Sequence, residues 1–192
     1  MLSETVSQTA GPYLHIGMMP SAGGIDIPWG KGWNILAKPR AQGQRIRLEG
    51  VIFDGTGTLV RDAQVEIWQA NAHGRYDHPD DRQAKPLDEA FHGFGRAVAD
   101  FKTGVWWFDT VKPGPVEGRH GTVMAPHINV AIFARALPSI THWASSSRSV
   151  ASASAAGHAV GSPSKWTVTA ARHHPCSTTP GTSSSWRAFG SQ

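Results

Sequence analysis

The sequence holds a single cysteine, Cys176, among its 192 residues. It therefore has no disulfide framework and no thiolate cluster for a metal. No apolar run approaches the roughly 18 residues that a membrane-spanning helix needs. The N-terminal stretch MLSETVSQTAGPY lacks the basic start and the apolar segment of a secretory signal. From these absences we expect a cytoplasmic protein with no membrane partner.

Acidic residues are missing from the C-terminal part of the chain, since all 14 lie between Glu4 and Glu117. The 14 basic residues up to Arg135 balance them, so the net charge of +4 comes from four Lys and Arg residues further on. Those four are scattered and form no stripe that could follow a phosphate backbone. The charge distribution therefore argues against a nucleic-acid partner.

Aliphatic residues are also scarce after Arg135, where 14 serines occur. Residues 136–192 have neither a helical nor a strand period, and so few apolar groups cannot offset the entropy of ordering the chain. We expect this atypical Ser-rich tail not to be natively folded. It is interpreted as a natural disordered tail, as a His-rich metal tract around His173, or as the product of a shifted reading frame after codon 135. We favour the frame shift, which sequencing of the encoding DNA would test.

Residues 41–135 contain short apolar segments between glycine and proline turns, a pattern typical of an all-β fold. The sequence Asp54–Gly57 predicts one hairpin, and residues 102–104 predict the turn of a second. A strand predicted from His127 alternates between two faces. One face carries Ile128, Val130 and Ile132, and the other carries His127, Asn129, Ala131 and Phe133. We predict a β-sandwich of mostly antiparallel strands.

The segment before this sandwich is rich in glycine and proline and carries two tryptophans between Ala10 and Lys38. A loop over the sandwich would explain the glycines and prolines. Its apolar content instead predicts that residues 1–40 form an N-terminal arm that packs on another surface, such as a partner chain.

One candidate for chemistry is the pair His78 and Asp80, with His92 or His127 as a third ligand. Two histidines and a carboxylate form the facial triad that holds Fe(II) in many oxygenases. The pattern is short and occurs often by chance, and YDHPDD also reads as a solvated loop. An iron-binding triad and a plain surface loop both stay open.

A second candidate is the beginning of the strand at His127. Residues i and i+2 of a strand share a face, so an H-x-H sequence could place two imidazoles on one metal. Here the second position is Asn129, which is a poor ligand for a transition metal. His127 is therefore expected to be a buried or partner-facing histidine. Arg135 ends the strand, where it is either a solvated charge or a group that binds a carboxylate.

Five motifs in order resemble the intradiol ring-cleaving dioxygenases over about residues 4–135, and after Arg135 the likeness stops. They are QTAGPY, VEIWQANAHGRYDHPDD, FGR, TVKPG and APHINVAIFAR. Catalytic members of that family bind Fe(III) with two tyrosines and two histidines. Matching the motifs places these four ligand positions at Gln83, Val116, His127 and Asn129. The resemblance thus implies a vestigial site, with no metal and no catalytic residue in this chain.

The closest likeness is to the alpha, non-catalytic chains of the family. It implies a hetero-oligomer of alpha–beta pairs in which a catalytic beta chain binds Fe(III). That beta chain would cleave a small aromatic carboxylate, 3,4-dihydroxybenzoate, with O2.

The resemblance also places Gly11, Pro12 and Arg135 near the substrate, with Thr9 beside them. Gly11 would allow close backbone approach, Pro12 would stiffen the arm, and Arg135 would orient the carboxylate. Two alternatives are a β-sandwich binding module without enzymatic role, and a self-sufficient non-haem iron oxygenase that uses His78 and Asp80.

Overall fold

The computed structural model describes residues 11, 13–26, 31–54, 56–134, 137–144, 167–170 and 174–175. These residues form a short helix α1 (Leu14–Met18), two 3-10 turns (Pro20–Gly23 and Arg119–Gly121) and ten strands. The strands are β1 (Arg45–Phe53), β2 (Gln64–Gln69), β3 (Phe94–Val98), β4 (Trp106–Val111), β5 (Val116–Glu117), β6 (Val123–Met124), β7 (His127–Ala134), β8 (Leu137–Ala144), β9 (Thr167–Ala170) and β10 (His174–Pro175). In the described segments, no helix is long and apolar enough to cross a membrane.

The strands form two four-stranded sheets and a small ribbon. One sheet has the order β10-β1-β4, with β9 also paired to β1, and the other has the order β3-β2-β7-β8. The strands β5 and β6 form the ribbon. All of these pairings are antiparallel. The prediction of an all-β sandwich with mostly antiparallel strands is confirmed.

The core lies between the two sheets. Trp106 and Phe108 of β4 are fully buried and pack with the inner residues of the opposite sheet. Along β7 the inner face is the one predicted, since Ile128, Val130 and Ile132 are buried while the alternate residues are half-exposed. The outer face of β7 thereby remains available for other contacts, and His127 and Asn129 lie on it.

A buried polar contact links the two sheets. The Thr110 hydroxyl on β4 donates to the Gln69 side-chain oxygen on β2 at 2.8 Å, and the Gln69 amide nitrogen donates to the Val111 carbonyl at 2.9 Å. Both polar side chains are fully buried. Because each polar atom has a partner, the contact adds specificity to the packing without leaving an unpaired group in the core.

The two predicted turns have different outcomes. At Asp54–Gly57 the hairpin turn is confirmed, since the Gly57 amide donates to the Asp54 carbonyl and Phe53 bridges to Leu59. The second prediction is wrong in its pairing. The chain does turn between β3 and β4, but these strands belong to opposite sheets. The local sequence specifies the turn, whereas the sheet that each strand joins depends on its distant neighbours.

The N-terminal arm packs on this chain itself. The Gln64 amide nitrogen of β2 lies 3.5 Å from the Met18 sulfur, and the Arg96 guanidinium of β3 donates to the Met18 carbonyl at 3.4 Å. Further along the arm, Leu36 is buried in the core. Arm and sandwich therefore share one hydrophobic core, although the sequence placed their boundary at residue 40.

Three strands lie in the segment that we expected not to be natively folded. The backbone of β8 pairs with β7 from His127↔Ala144 to Ala134↔Leu137, and β9 and β10 pair with β1. The second sheet therefore continues past Arg135 instead of ending there. The rest of residues 136–192 lies outside the described residues, and the reading-frame hypothesis stays a prediction.

Candidate functional site

His127 lies at the beginning of β7, where both of its ring nitrogens are hydrogen-bonded. Nδ1 donates to the Ala125 carbonyl at 2.8 Å. Because Nδ1 then carries the proton, Nε2 is the acceptor, and it receives a hydrogen bond from the Tyr76 hydroxyl at 3.2 Å. The nitrogen that a metal would use is therefore occupied by a phenol of the same chain.

Tyr76 is the residue of this site that the sequence analysis missed. Its ring stacks on Trp68 of β2, with centroids 5.6 Å apart and planes 11° from parallel. Burial, and next the negative charge of Asp81, raise the pKa of Tyr76 above its usual value of 10.0. The phenol thus stays protonated and acts as a hydrogen-bond donor. Its sequence GRY lies inside one of the five motifs, but no local pattern links Tyr76 to His127.

Asp81 organises the loop that carries Tyr76. One carboxylate oxygen accepts the Tyr76 backbone amide at 2.7 Å, and the other accepts the Gln83 backbone amide at 3.0 Å. Burial would raise the pKa of Asp81, but these hydrogen bonds and the nearby Arg75 charge outweigh it and hold that pKa below 3.8. The loop is therefore tied by a charged acceptor at ordinary pH.

Gln83 stands where the resemblance places the first ligand tyrosine. Its amide nitrogen lies 3.0 and 3.1 Å from the two Asp81 oxygens, and its amide oxygen is buried without a hydrogen-bond partner. The side chain is thus drawn into the loop network through its nitrogen, and it offers a neutral carbonyl in place of a phenolate.

The other two ligand positions are no better suited to iron. Val116 on β5 is buried and has no donor atom, and Asn129 on β7 supplies a neutral carboxamide beside the imidazole of His127. A ferric ion favours hard anionic oxygen donors, and none of the four positions provides one. The residues present do not fit Fe(III).

The facial triad proposed for His78 and Asp80 is not formed. His78 Nδ1 accepts the Asp80 backbone amide at 3.2 Å, and both side chains are largely exposed. Neither His92 nor His127 joins them. Within the described ranges no three His, Cys, Asp or Glu side chains are grouped in a way that could hold a metal. This interpretation of the sequence is therefore wrong, and YDHPDD is a surface loop.

The opposite end of β7 borders a cavity of about 730 Å³. Tyr13 and His15 of the arm line it together with Ala134, the last residue of β7. The turn residues Leu59 and Phe101 complete its apolar wall. Two segments that are about 120 positions apart in sequence thus meet at one surface depression.

The residues that the resemblance places near a substrate are close in sequence to residues that line this cavity. Gly11 is exposed, and among the described atoms nothing lies within 4 Å of where a Cβ would be. Thr9, Pro12 and Arg135 lie outside the described residues. Their immediate neighbours Tyr13 and Ala134 line the cavity, and the assignment of the four residues to a substrate stays a prediction.

Comparisons with known proteins agree on one family. The sequence profile of the family described as Dioxygenase matches residues 31–152. The chain is 48% identical over 137 residues to the protocatechuate 3,4-dioxygenase alpha chain of Pseudomonas putida, which covers 71% of this chain and 66% of that protein.

Two proteins of Burkholderia cepacia also match. The protocatechuate 3,4-dioxygenase alpha chain is 36% identical over 146 residues, covering 73% of this chain and 67% of that protein. The beta chain is 43% identical over 93 residues, covering 47% of this chain and 39% of that protein. The chain thus spans about two thirds of the length of the alpha chains that it matches.

Proposed function

Because this chain belongs to the intradiol dioxygenase family, we propose that it is the alpha subunit of a protocatechuate 3,4-dioxygenase. In this proposal it binds no iron and pairs with a beta chain that holds Fe(III). The complex is a cytoplasmic hetero-oligomer of alpha–beta pairs. It opens the ring of 3,4-dihydroxybenzoate between its two hydroxylated carbons with O2, giving 3-carboxy-cis,cis-muconate.

The donor set at the former metal positions is the observation that carries this proposal. Gln83, Val116 and Asn129 supply no anionic oxygen, and the Nε2 atom of His127 already accepts a hydrogen bond from Tyr76. A chain with such residues needs a partner to supply the redox chemistry. The similarity to a beta chain as well as to alpha chains supports a partner of the same family.

The contribution of this chain would be to bind and orient the substrate at the mouth of the partner's active site. Arg135 would attract the substrate carboxylate and hold it in a bidentate contact. Gly11 would let the arm approach the ring closely, and Pro12 would stiffen that approach. The meeting of Tyr13 and Ala134 at one cavity supports this arrangement, since it brings the arm to the end of β7.

The test compares this chain alone, the beta chain alone, and the two chains co-expressed and purified as a complex. We expect turnover of 3,4-dihydroxybenzoate and iron bound in the complex, with neither in this chain by itself. Bound iron and ring cleavage by the isolated chain would contradict the proposal. A complex that assembles but shows no turnover would instead favour a binding module.

Arg135→Ala tests the substrate role within that complex. Losing a charged hydrogen bond to the substrate carboxylate is expected to raise KM about tenfold to a hundredfold, with a smaller change in kcat. Arg40→Ala is the matched control, because it removes an exposed arginine that does not line the cavity. If KM is the same for Arg135→Ala and for the unmodified chain, Arg135 is not at the site.

A further inference from the structure

The N-terminal arm touches the sandwich through an aromatic pair. His15 of α1 packs against Phe101, in the turn between β3 and β4, with ring centroids 5.2 Å apart and an interplanar angle of 60°. His15 is only 6% exposed, whereas Phe101 is 48% exposed. The pair therefore joins a buried residue of the arm to the rim of the cavity that both line.

The helix that carries His15 needs such a contact. It has five residues, and a helix of that length is not stable by itself in water. Its other fixed point is Met18, which contacts Gln64 and Arg96 on the outer face of the second sheet. His15 and Met18 thus hold α1 on two different surfaces of the sandwich.

The imidazole of His15 contributes to the arm through ring packing against Phe101. Within the part of the chain whose structure is described, it makes no hydrogen bond with another residue. The turn beneath it is rigid, because one Asp100 carboxylate oxygen accepts the backbone amides of Lys102 and Thr103 at 2.9 and 2.7 Å. These hydrogen bonds therefore fix the position of the backbone that carries Phe101.

Backbone hydrogen bonds connect Gly11 to α1. The Leu14 amide donates to the Gly11 carbonyl at 3.2 Å, and the Gly17 amide donates to the Tyr13 carbonyl at 3.1 Å. Gly11 consequently moves with the helix rather than freely. A displacement of His15 would displace the segment that the proposed function assigns to the substrate.

We propose that His15 and Phe101 are positioning residues, whose contact fixes the arm so that Gly11 is held at the substrate end of β7. This inference rests on the proposed function, because it concerns the same substrate site. Neither side chain needs to touch the substrate. Loosening their contact would misplace the arm and weaken substrate binding, while the chemistry on the partner chain would continue.

The test uses the complex with the beta chain. His15→Ala and Phe101→Ala are expected to raise KM for 3,4-dihydroxybenzoate about threefold to tenfold, with kcat changed less than twofold, because an edge-to-face ring contact is lost. His15→Phe keeps an aromatic ring at position 15, packed against Phe101. It is expected to have the same KM as the unmodified complex. Leu87→Ala is the control, since Leu87 is as exposed as Phe101, at 48%, and does not line the cavity.

Hydrogen exchange of the same complexes gives a second reading. In His15→Ala and Phe101→Ala the amides of Leu14–Met19 should exchange faster, while the Leu87→Ala complex should match the unmodified one. An unchanged KM in an assembled, active complex overturns the inference, whether or not exchange speeds up. So does dissociation of the variants, since the pair would then serve assembly. A complex of unmodified chains without turnover would instead remove the proposed function, and this inference with it.

Discussion

The two ends of β7 differ in what borders the strand. At the His127 end, polar side chains of one loop bond to each other and to the histidine. At the Ala134 end, the arm and a turn border an open cavity. The inner face is the same throughout, with a buried aliphatic or alanine at every second residue. The two ends thus share a scaffold and differ in their surface chemistry.

This comparison separates an end that is filled by hydrogen bonds from an end that borders a cavity. The Tyr76–His127 hydrogen bond connects the loop to the strand, and the Asp81 carboxylate ties the loop together. The polar end is therefore closed to a ligand, whereas the arm end is open. We expect the polar end to serve structure and the opposite end to serve function.

The largest expected effect tests whether the inner face of β7 contributes equally to stability at its two ends. Ile128→Ala near the polar end and Ile132→Ala near the cavity each remove a buried side chain from the same core. Each is expected to lower the free energy of unfolding by about 2–5 kcal/mol. Urea denaturation of the full chain measures both losses. A loss that is several times larger at one position would contradict a uniform scaffold.

Asp81→Ala tests the polar end next. It removes the acceptor of two backbone amides and of the Gln83 side chain, so we expect a loss of about 1–2 kcal/mol at neutral pH. Because the pKa of Asp81 is below 3.8 in the folded chain, its stabilising effect exists above that pH and disappears as the pH falls further.

The deficit of Asp81→Ala should therefore shrink in acid, which denaturation series at several pH values would measure. Asp77→Ala, at an exposed position of the same loop, is the control and should have little effect. A deficit of equal size at neutral and acid pH would show that Asp81 does not act through its charge.

Tyr76→Phe is expected to have a smaller effect, because the ring stays stacked on Trp68 and only the hydrogen bond to His127 is lost. We expect a loss of about 1 kcal/mol in the free energy of unfolding. The matched control is Tyr13→Phe, since the hydroxyl of Tyr13 lies on a side chain that is 75% exposed.

The same variant carries a pH signature. The pKa of Tyr76 is raised above 10.0, so the unfolded chain ionises first and the stability conferred by the neutral phenol is lost as the pH rises through the folded value. The gap between the unmodified chain and Tyr76→Phe should therefore narrow in strong base. A gap that widens with pH would mean that the phenolate, and not the phenol, is held at this site.

The smallest expected effect is that of a chelator. If hydrogen bonds alone hold the polar end, EDTA leaves the melting temperature of the isolated chain unchanged within error. A fall in melting temperature on chelation, reversed by adding iron, would contradict the comparison between a closed structural end and an open functional one.

The sequence predicted the alternation of buried and half-exposed residues along β7 and the turn at Asp54–Gly57. Both follow from local rules of strand geometry and turn chemistry. The motif resemblance places substituted ligand positions at Gln83, Val116 and Asn129, and that assignment stays a prediction. The sequence placed β3 and β4 in one hairpin, where the structure separates them. Local signals specify where a chain turns, but the partner of each strand depends on residues far away.

The contact between Tyr76 and His127 joins residues 51 positions apart, and that between His15 and Phe101 joins the arm to a turn between the two sheets. No local pattern contains either pair. By itself, the sequence determined the all-β architecture and the faces of β7, since these depend on residue type and spacing. Only the tertiary structure decided which distant side chains meet, because packing brings them together.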